Sequence, residues 1–467
     1  MDDRAARRAA LVAVTISSFA TPFMISGVNI GLPLIGAEFG AGAILLSWLS
    51  TSYTLALAVF SLPFGKLADI RGRKRVFVAG TCLFTVASLL CALANSPTML
   101  IVTRVIQGIG AAMVSATSAA ILTSIYPASE RGRVLGVNVA AVYLGLSVGP
   151  FLGGVMVEAL GWRSVFWANV PLELIALALT ATRMRGEWVG SPDESFDLAG
   201  SMIYGLAVVA LMLGFSRLPT IAGAWLILAG VIAGAGFLAR EVRTAHPVID
   251  VGLFRGNRVF ALSSLAALAS YAATSSVTFL LSLYLQYIKA LSPREAGLVL
   301  VAQPLVQTVF SPLAGRLSDR VEPRVVASIG MAVTSIGLGM LAFLAEGSSL
   351  TFVVASLLVL GFGFGLFSSP NTSAIMGAVE RRHYGVASSL VATMRVFGQM
   401  LSMGIAMILF AIHIGPGQIT PEHYGSFLIS ARIAFSIGAV LCAAGILASV
   451  ARGDRQAVEA AESVEPR

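Results

Sequence analysis

The sequence predicts an all-α integral membrane fold, on three observations. Hydrophobic residues make up 57% of the chain and charged residues only 12%, against about 25% charged in a typical soluble domain. A water-soluble fold of this composition would have almost nothing polar to cover its surface, and the mean hydropathy of +0.87 says the same. The apolar residues also fall into runs long enough to cross a hydrocarbon core as helices, which takes about 20 residues, and short arginine-rich loops separate them.

By that length there are fourteen candidate spans, near 9–35, 44–64, 76–95, 98–126, 134–158, 163–182, 198–216, 221–240, 259–288, 295–314, 325–345, 350–378, 386–412 and 427–451. The first follows Arg4, Arg7 and Arg8 and is too long for a signal-peptide core of about 7–15 residues, so it reads as a retained span. The second runs into the loop "GKLADIRGRKR" (65–75), and the fourth opens with "RVIQGIGAAM" (104–113). The fifth contains "GLSVGPFLGG" (145–154) and the sixth "FWANVPLELIAL" (166–177). The seventh and eighth have no acid in their apolar cores. The tenth runs into "GRLSDRVEPR" (315–324), and the thirteenth contains "TMRVFGQM" (393–400). "GFGFGL" (361–366) looks like a nucleotide loop, but it lies inside an apolar span with no βαβ context and reads as helix packing. Cys82, Cys91 and Cys442 all sit in apolar stretches and read as small core or lipid-facing residues. No metal-ligand cluster, cofactor motif or nucleophile–base pair is evident, which argues against an enzyme.

An even number of spans places both termini on one side. The N-terminus and every second loop hold most of the 31 Lys and Arg, among them Arg4, Arg7, Arg8, Lys66, Arg71, Arg73, Lys74 and Arg75. By the positive-inside rule both termini are cytoplasmic. The same asymmetry accounts for the net charge of +8 without a nucleic-acid partner.

The loops at 65–75 and 315–324 share the pattern G-x-L-x-D. If each follows the second span of a half, the halves begin at spans 1 and 9. The expected division is a six-helix half (1–185), two inserted helices (186–245), a second six-helix half (246–452) and a tail (453–467). Internal duplication around a midplane site is the usual build of secondary transporters.

Several motifs stand out against plain membrane composition. In the first loop, Gly65, Asp69, Gly72 and Arg73 combine tight turns with an acid placed to accept hydrogen bonds from helix N-termini or arginines across the interface between halves; Gly315, Asp319 and Arg320 repeat it. An ordinary basic loop accounts for the cations, but not for the acid and glycine spacing or its second appearance. In the fifth span, Gly145, Gly149, Gly153 and Gly154 permit close helix approach, and Pro150 removes a backbone donor. Arg104 lies about 9 Å below the outer boundary of the fourth span, where a cation must pair, snorkel or face water.

These residues carry a resemblance. The chain resembles the major facilitator superfamily, and within it the fourteen-span drug:proton antiporter branch. The first-loop motif, the RxxQGxG start of the fourth span, the GxxxGPxxGG pattern, "GWRSVFWANVP" (161–171) and "HPVIDVGLFRGNRVF" (246–260) all match. The resemblance implies alternating access between six-helix halves and efflux driven by the proton gradient. It makes Asn29, Arg104 and Gln107 cavity candidates in the first half. Arg395 resembles the branch's arginine-glycine pattern, with a helix-bridging arginine as the alternative, and Tyr271, Gln303 and Gln307 are further polar candidates. The branch usually carries an acid in span 1, where "MISGVNIGLP" (24–33) has Met24 instead, while Asn29, Leu32 and Pro33 are kept.

One acid lies deep in a span. Glu173 sits about 16 Å inward from Trp162, near the middle of a core of about 30 Å, and an intramembrane acid is a functional-site hypothesis. Burial disfavours the ionised form of an acid, which suits reversible proton binding. Asn169, Glu173, Ala176 and Thr180 form one helical stripe, opposite the lipid-type face of Leu172, Ile175 and Leu179, so Glu173 is expected to face protein. The alternative is a neutral acid bonded to Asn169 or neighbouring backbone, with no transport role.

The expectation is an exporter of amphipathic small molecules in exchange for protons, a monomer in the bacterial or archaeal plasma (inner) membrane, needing no cofactor. The alternatives are a facilitator or symporter, favoured by Met24, and a sensor or scaffold on a transporter fold. Fourteen spans with internal termini make a testable topology. A reporter fused after residue 467 should read cytoplasmic and one inserted near Gly417 external; an external C-terminus would overturn the span count.

Overall fold

The computed structural model describes residues 3–184, 186–190, 194–244, 252–318, 320–379, 384–415 and 417–452. Among the described residues fourteen helices are long and apolar enough to cross a membrane. Spans 1 to 7 are Ala5–Phe39, Ala43–Arg71, Arg73–Ala92, Pro97–Ile125, Arg133–Leu160, Arg163–Arg183 and Leu198–Arg217. Spans 8 to 14 are Ile221–Glu241, Arg258–Ile288, Pro293–Leu317, Pro323–Leu341, Leu350–Gly377, Val391–His413 and Pro421–Ala451. No strand occurs among the described residues. The tail at 453–467 and the segment 245–251 lie outside them.

Local chemistry sets many of the starts. Ser96, Thr220, Ser349 and Asn257 each accept a hydrogen bond from a backbone N–H of the first turn that follows, replacing a partner the helix cannot supply. Ser292 and Glu295 form a capping box ahead of span 10, with Pro293 in the first turn, where its missing N–H costs nothing. Span 9 is not one continuous helix, a feature the apolar run did not reveal. It consists of Arg258–Thr274, Val277–Leu283 and a π-helical turn at Tyr284–Ile288. At the break, Ser276 N–H donates to Ser402 Oγ of span 13 at 2.9 Å.

The spans pack in two groups by one scheme. In the first, span 1 lies against 5 and 6, span 3 against 4 and 6, and span 2 against 4; the same contacts recur eight spans later among spans 9 to 14. Hydrogen bonds show which ends meet. At one end Tyr126 donates to Arg7 O, Arg73 N to Trp188 O and Gly190 N to Asp69 O. This is called the basic end here. At the opposite end Arg163 bridges Glu38 and Ala94 O.

Spans 7 and 8 form a hairpin of their own, and span 7 packs against both span 2 and span 13, which also touch each other. Tyr204 OH donates to Ala58 O of span 2 at 2.7 Å, with its ring between Phe237 and Phe397. Ile221, Trp225, Val231 and Ile232 of span 8 remain exposed, a lipid-facing surface. Asp197 clasps the hairpin. It accepts from Gly200 N at 2.9 Å and from Arg240 Nε and NH2 at 3.1 and 2.9 Å.

The Arg240 hydrogen bond, then that of Gly200, holds the Asp197 carboxyl below its ordinary range. A lowered folded value means the stabilisation is present above the unfolded value of about 3.9 and is lost as pH falls through the folded one. Asp197→Ala should cost about 1 kcal/mol of local stability, seen as faster hydrogen exchange over 198–204, while wild type loosens there only in acid. Unchanged exchange in the variant would count against the clasp.

Candidate functional site

The stripe on span 6 is buried as its spacing requires: Asn169, Glu173, Ala176 and Thr180 are all fully enclosed, while Leu174 and Ile175 point outward. Glu173 takes a partner from span 1. Ser17 Oγ donates to Glu173 Oε2 at 2.7 Å, and Oε1 has no hydrogen-bond partner among the described residues. Asn169 is therefore not the partner of Glu173. Its amide donates to Val165 O at 3.1 Å and to the sulfur of Met24. Ser17 and Met24 are two helical turns apart on one face of span 1, so the residue in the branch's acid position and the enclosed acid share one helix contact.

A polar path continues through the first group. Thr21 Oγ1 donates to Ser17 O at 2.9 Å, and Tyr53 OH of span 2 donates to Thr21 O at 3.1 Å. The Arg104 guanidinium lies over the Tyr53 ring, 4.3 Å from its centre. It donates to Gln107 Oε1 at 2.7 Å and to Leu49 O at 3.4 Å, and Gln107 donates onward to Ser88 Oγ at 2.8 Å. Gly108 lets the Tyr53 main chain approach closer than a Cβ would allow. Arg104 is 1% exposed and Gln107 fully buried, so in this conformation neither lines a pathway. A ring face, an amide and a carbonyl satisfy the cation inside the bundle.

Asn29 belongs to the closure of the opposite end. Its Oδ1 accepts from Ser50 at 2.8 Å and its main-chain oxygen from Ser282 of span 9 at 2.8 Å. Pro33 explains the second bond: four residues on, it lacks the N–H that would otherwise occupy the Asn29 carbonyl. Gln286 donates to Ile30 O at 3.0 Å, Ala43 N to Gly417 O at 3.0 Å and Arg294 N to Glu158 at 3.1 Å.

The glycine motif of span 5 has two faces. A Cβ on Gly145 or Gly149 would overlap Phe19 O or Ser26 of span 1, and one on Gly153 would come within 2.9 Å of Gly27. A Cβ on Gly154 would strike Pro293 O of span 10, and one on Gly297 would strike Pro150 O in return. The four-residue spacing thus mates span 5 to span 1, and the Pro150–Gly154 side mates it to the second group.

Near mid-bundle the groups meet through side chains. Tyr143 OH of span 5 shares a 2.7 Å hydrogen bond with Ser368 Oγ of span 12, and Tyr271 of span 9 joins them, within electrostatic reach of Arg395. Ser147, one turn on, approaches Pro304 O and Thr308 at 3.4 and 3.3 Å. Gln303 and Gln307 are half-buried on span 10, their main chain packed against Gly361 and Gly365 of span 12. Sequence reasoning missed Tyr143 and Ser368; nothing in their apolar runs set them apart.

The first loop departs from expectation. Asp69 accepts from Arg73 Nε at 2.8 Å, and Arg73 reaches Ser124 Oγ at 2.6 Å and Ala120 O at 3.2 Å, all within the first group. Glu187 accepts from Lys74 N at 2.8 Å against Gly72, whose φ of +114° suits glycine. The expected partner across the interface is not what occupies Asp69 here, because the bonds just described join the groups from mid-bundle to the opposite end. Gly65 has room around it, Gly315 packs on Ser369 and Arg320 is exposed. Asp319 lies outside the described residues.

Residues 14–239 and 263–466 match the family model of the Major Facilitator Superfamily. The chain belongs to that superfamily. It is 31% identical over 443 residues to the riboflavin transporter RibZ of Clostridioides difficile (strain 630), covering 94% of this chain and 96% of the relative. It is 32% identical over 448 residues to the cephamycin export protein CmcT of Amycolatopsis lactamdurans (92% and 91%). To the multidrug resistance protein Stp of Mycobacterium tuberculosis it is 33% identical over 387 residues (81% and 71%).

Among solved structures, a mutant of the peptide transporter POT in complex with alafosfalin has a TM-score of 0.69 at 16% identity, covering 95% of this chain and 98% of that one. A bacterial homolog of the human lysosomal transporter Spinster, in an inward-facing and occupied conformation, has the same score and identity, covering 95% and 96%. These two share the fold. The chain is thus a multi-span superfamily transporter of small molecules rather than an enzyme.

Two substitutions separate the faces of the glycine motif in this superfamily transporter. Gly145→Ala overpacks one group internally and should cost about 1–3 kcal/mol, read as a lower melting temperature. Gly154→Ala presses across the seam and should instead open it, raising maleimide labelling of an Ala296→Cys probe in a cysteine-free background. Equal labelling with and without Gly154→Ala would show that the seam does not depend on that contact.

Proposed function

We propose that the chain is a proton-coupled exporter of amphipathic small molecules, working by alternating access between two six-helix halves, spans 1–6 and 9–14, with spans 7 and 8 inserted between them. With the basic end cytoplasmic, as the positive-inside rule requires, the sealed opposite end is external and the pathway opens inward. The protein acts as a monomer in the bacterial or archaeal plasma membrane. Relatives named for multidrug resistance and for cephamycin export support the export direction.

One observation carries the coupling: Glu173 is fully enclosed with a single hydrogen bond, from Ser17 of span 1, and one unpartnered oxygen. An ionised carboxylate held this way is costly, because one hydroxyl replaces a full hydration shell and no cation among the described residues pairs with it. The neutral acid fits the closed contact between spans 1 and 6. Loss of the proton therefore favours their separation and the entry of water, and movement of span 1 favours loss of the proton. The titratable group thus stands across the helix contact from Met24 and does the work of the branch's span-1 acid.

Met24 itself favours the second reading, a facilitator or symporter without this coupling. Glu173→Gln decides between them. It keeps shape and hydrogen bonding but cannot release a proton, so in proteoliposomes substrate binding should persist while uphill efflux and substrate-induced proton release disappear. Proton-coupled efflux by Glu173→Gln at wild-type stoichiometry would falsify the assignment.

A further inference from the structure

Of the charged side chains within the described spans, Arg104 and Glu173 are sealed. Arg104 is held by Tyr53, Gln107 and Leu49 O, and Glu173 by Ser17. Arg395 differs. It lies eleven residues into the helix Tyr384–His413, about 16 Å along it, is only half-buried, and makes no hydrogen bond or ion pair with any described residue. Arginine keeps its charge under all working conditions, so an unpaired guanidinium at this depth calls for an anion or for water.

Its surroundings are arranged around donors. Gly398, one turn beyond Arg395, lets Tyr271 press onto span 13; a Cβ there would come within 2.6 Å of Tyr271 Cβ. The Tyr271 ring stands edge-on to Phe364, centres 5.4 Å apart. The Tyr271 phenol lies within electrostatic reach of the guanidinium and beside the hydrogen-bonded hydroxyls of Tyr143 and Ser368, and Tyr143 comes from the opposite half. Among the described residues the cluster contains a permanent cation, three hydroxyls and two aromatic rings packed edge to face, and no carboxylate.

We infer that Arg395, Tyr143, Tyr271 and Ser368 form a substrate site for organic anions, with a carboxylate or equivalent oxyanion on Arg395 and an aromatic or apolar body against Tyr271 and Phe364. Guanidinium matches a carboxylate through two parallel N–H donors, which an ammonium does not. Because Tyr143 belongs to one half and the other three to its partner, the anion spans the seam and its binding registers on both halves at once. The inference rests on the proposed pathway between the halves, but not on proton coupling.

The test uses the full chain in lipid nanodiscs, with empty nanodiscs as blank, and three probes sharing one ring system: naphthalene-2-carboxylate, its neutral primary amide and 2-naphthylmethylammonium. Equilibrium dialysis should show wild type binding the carboxylate at least about tenfold more tightly than the other two, the size expected for charge-assisted hydrogen bonds. Arg395→Gln should abolish that preference while leaving amide binding within twofold. Arg395→Lys should retain part of it, which controls for folding, and Tyr143→Phe should weaken the carboxylate alone. Equal binding of the three probes by wild type, no binding of any, or an unchanged preference in Arg395→Gln overturns the site. Coupled efflux by Glu173→Gln would overturn the exporter mechanism and leave a carboxylate preference untouched, so the two failures are distinguishable.

Discussion

Span 5 lies against the main chain of two neighbours at once, span 1 through Gly145, Gly149 and Gly153 and span 10 through Gly154. Inside a bilayer no hydrophobic force drives helix on helix, so association depends on close packing. A methyl at any of these positions would hold the helices apart. The first contact fixes span 1, and with it the face carrying Ser17 and Met24 against span 6. The second places the seam between the halves one helix away. The enclosed acid and the seam are therefore both referenced to one helix, and a shift of span 5 reaches each.

Charge is distributed by the same economy of partners. A deep ion has to be satisfied by whatever the neighbouring helices offer. Arg104 finds a ring face, an amide oxygen and a main-chain carbonyl, and becomes part of the packing. Glu173 finds one hydroxyl, enough for a neutral acid and too little for an ion. Arg395 finds none among the described residues and stays half-exposed. The first belongs to the packing of this conformation, the second is the acid proposed above to exchange its proton, and the third is the cation proposed to receive an anionic substrate.

Much of this was legible in sequence, for physical reasons. The spans follow from apolar length and the glycine contacts from four-residue spacing. The burial of Glu173 follows from the stripe it shares with Asn169, Ala176 and Thr180. What pattern did not supply was the partner across a helix contact. Ser17 rather than Asn169 bonds Glu173 because span 1 crosses span 6 there, and no local spacing encodes that crossing. Arg104 reads as a cavity residue only until Tyr53 is seen to cover it. Asp69 pairs with Arg73 of its own group, and no local spacing says whether that acid is met from within the group or from across the seam. The break in span 9 is hidden within a continuous apolar run.

That break bears on how the seal at the end opposite the basic one would open in the proposed cycle. Ser282 and Gln286 lie beyond it, on the segment that reaches the span 1 carbonyls of Asn29 and Ile30. Each such hydrogen bond has a net worth of about 1 kcal/mol, and moving a two-state equilibrium from 1:99 to 99:1 takes about 5.5 kcal/mol, so a few of them are commensurate with the switch. Pro33 makes the exchange nearly free of penalty. It leaves the Asn29 carbonyl without a helical donor, so Ser282 serves it when the end is closed, and water serves it once the end opens. Gln286 already lies 3.1 Å from Ser282 Oγ and can turn back onto its own helix. In that cycle the seal would be built from bonds whose partners survive its opening, whereas the sealed contacts of Arg104 have no such replacement, so the region around Arg104 would move as a block.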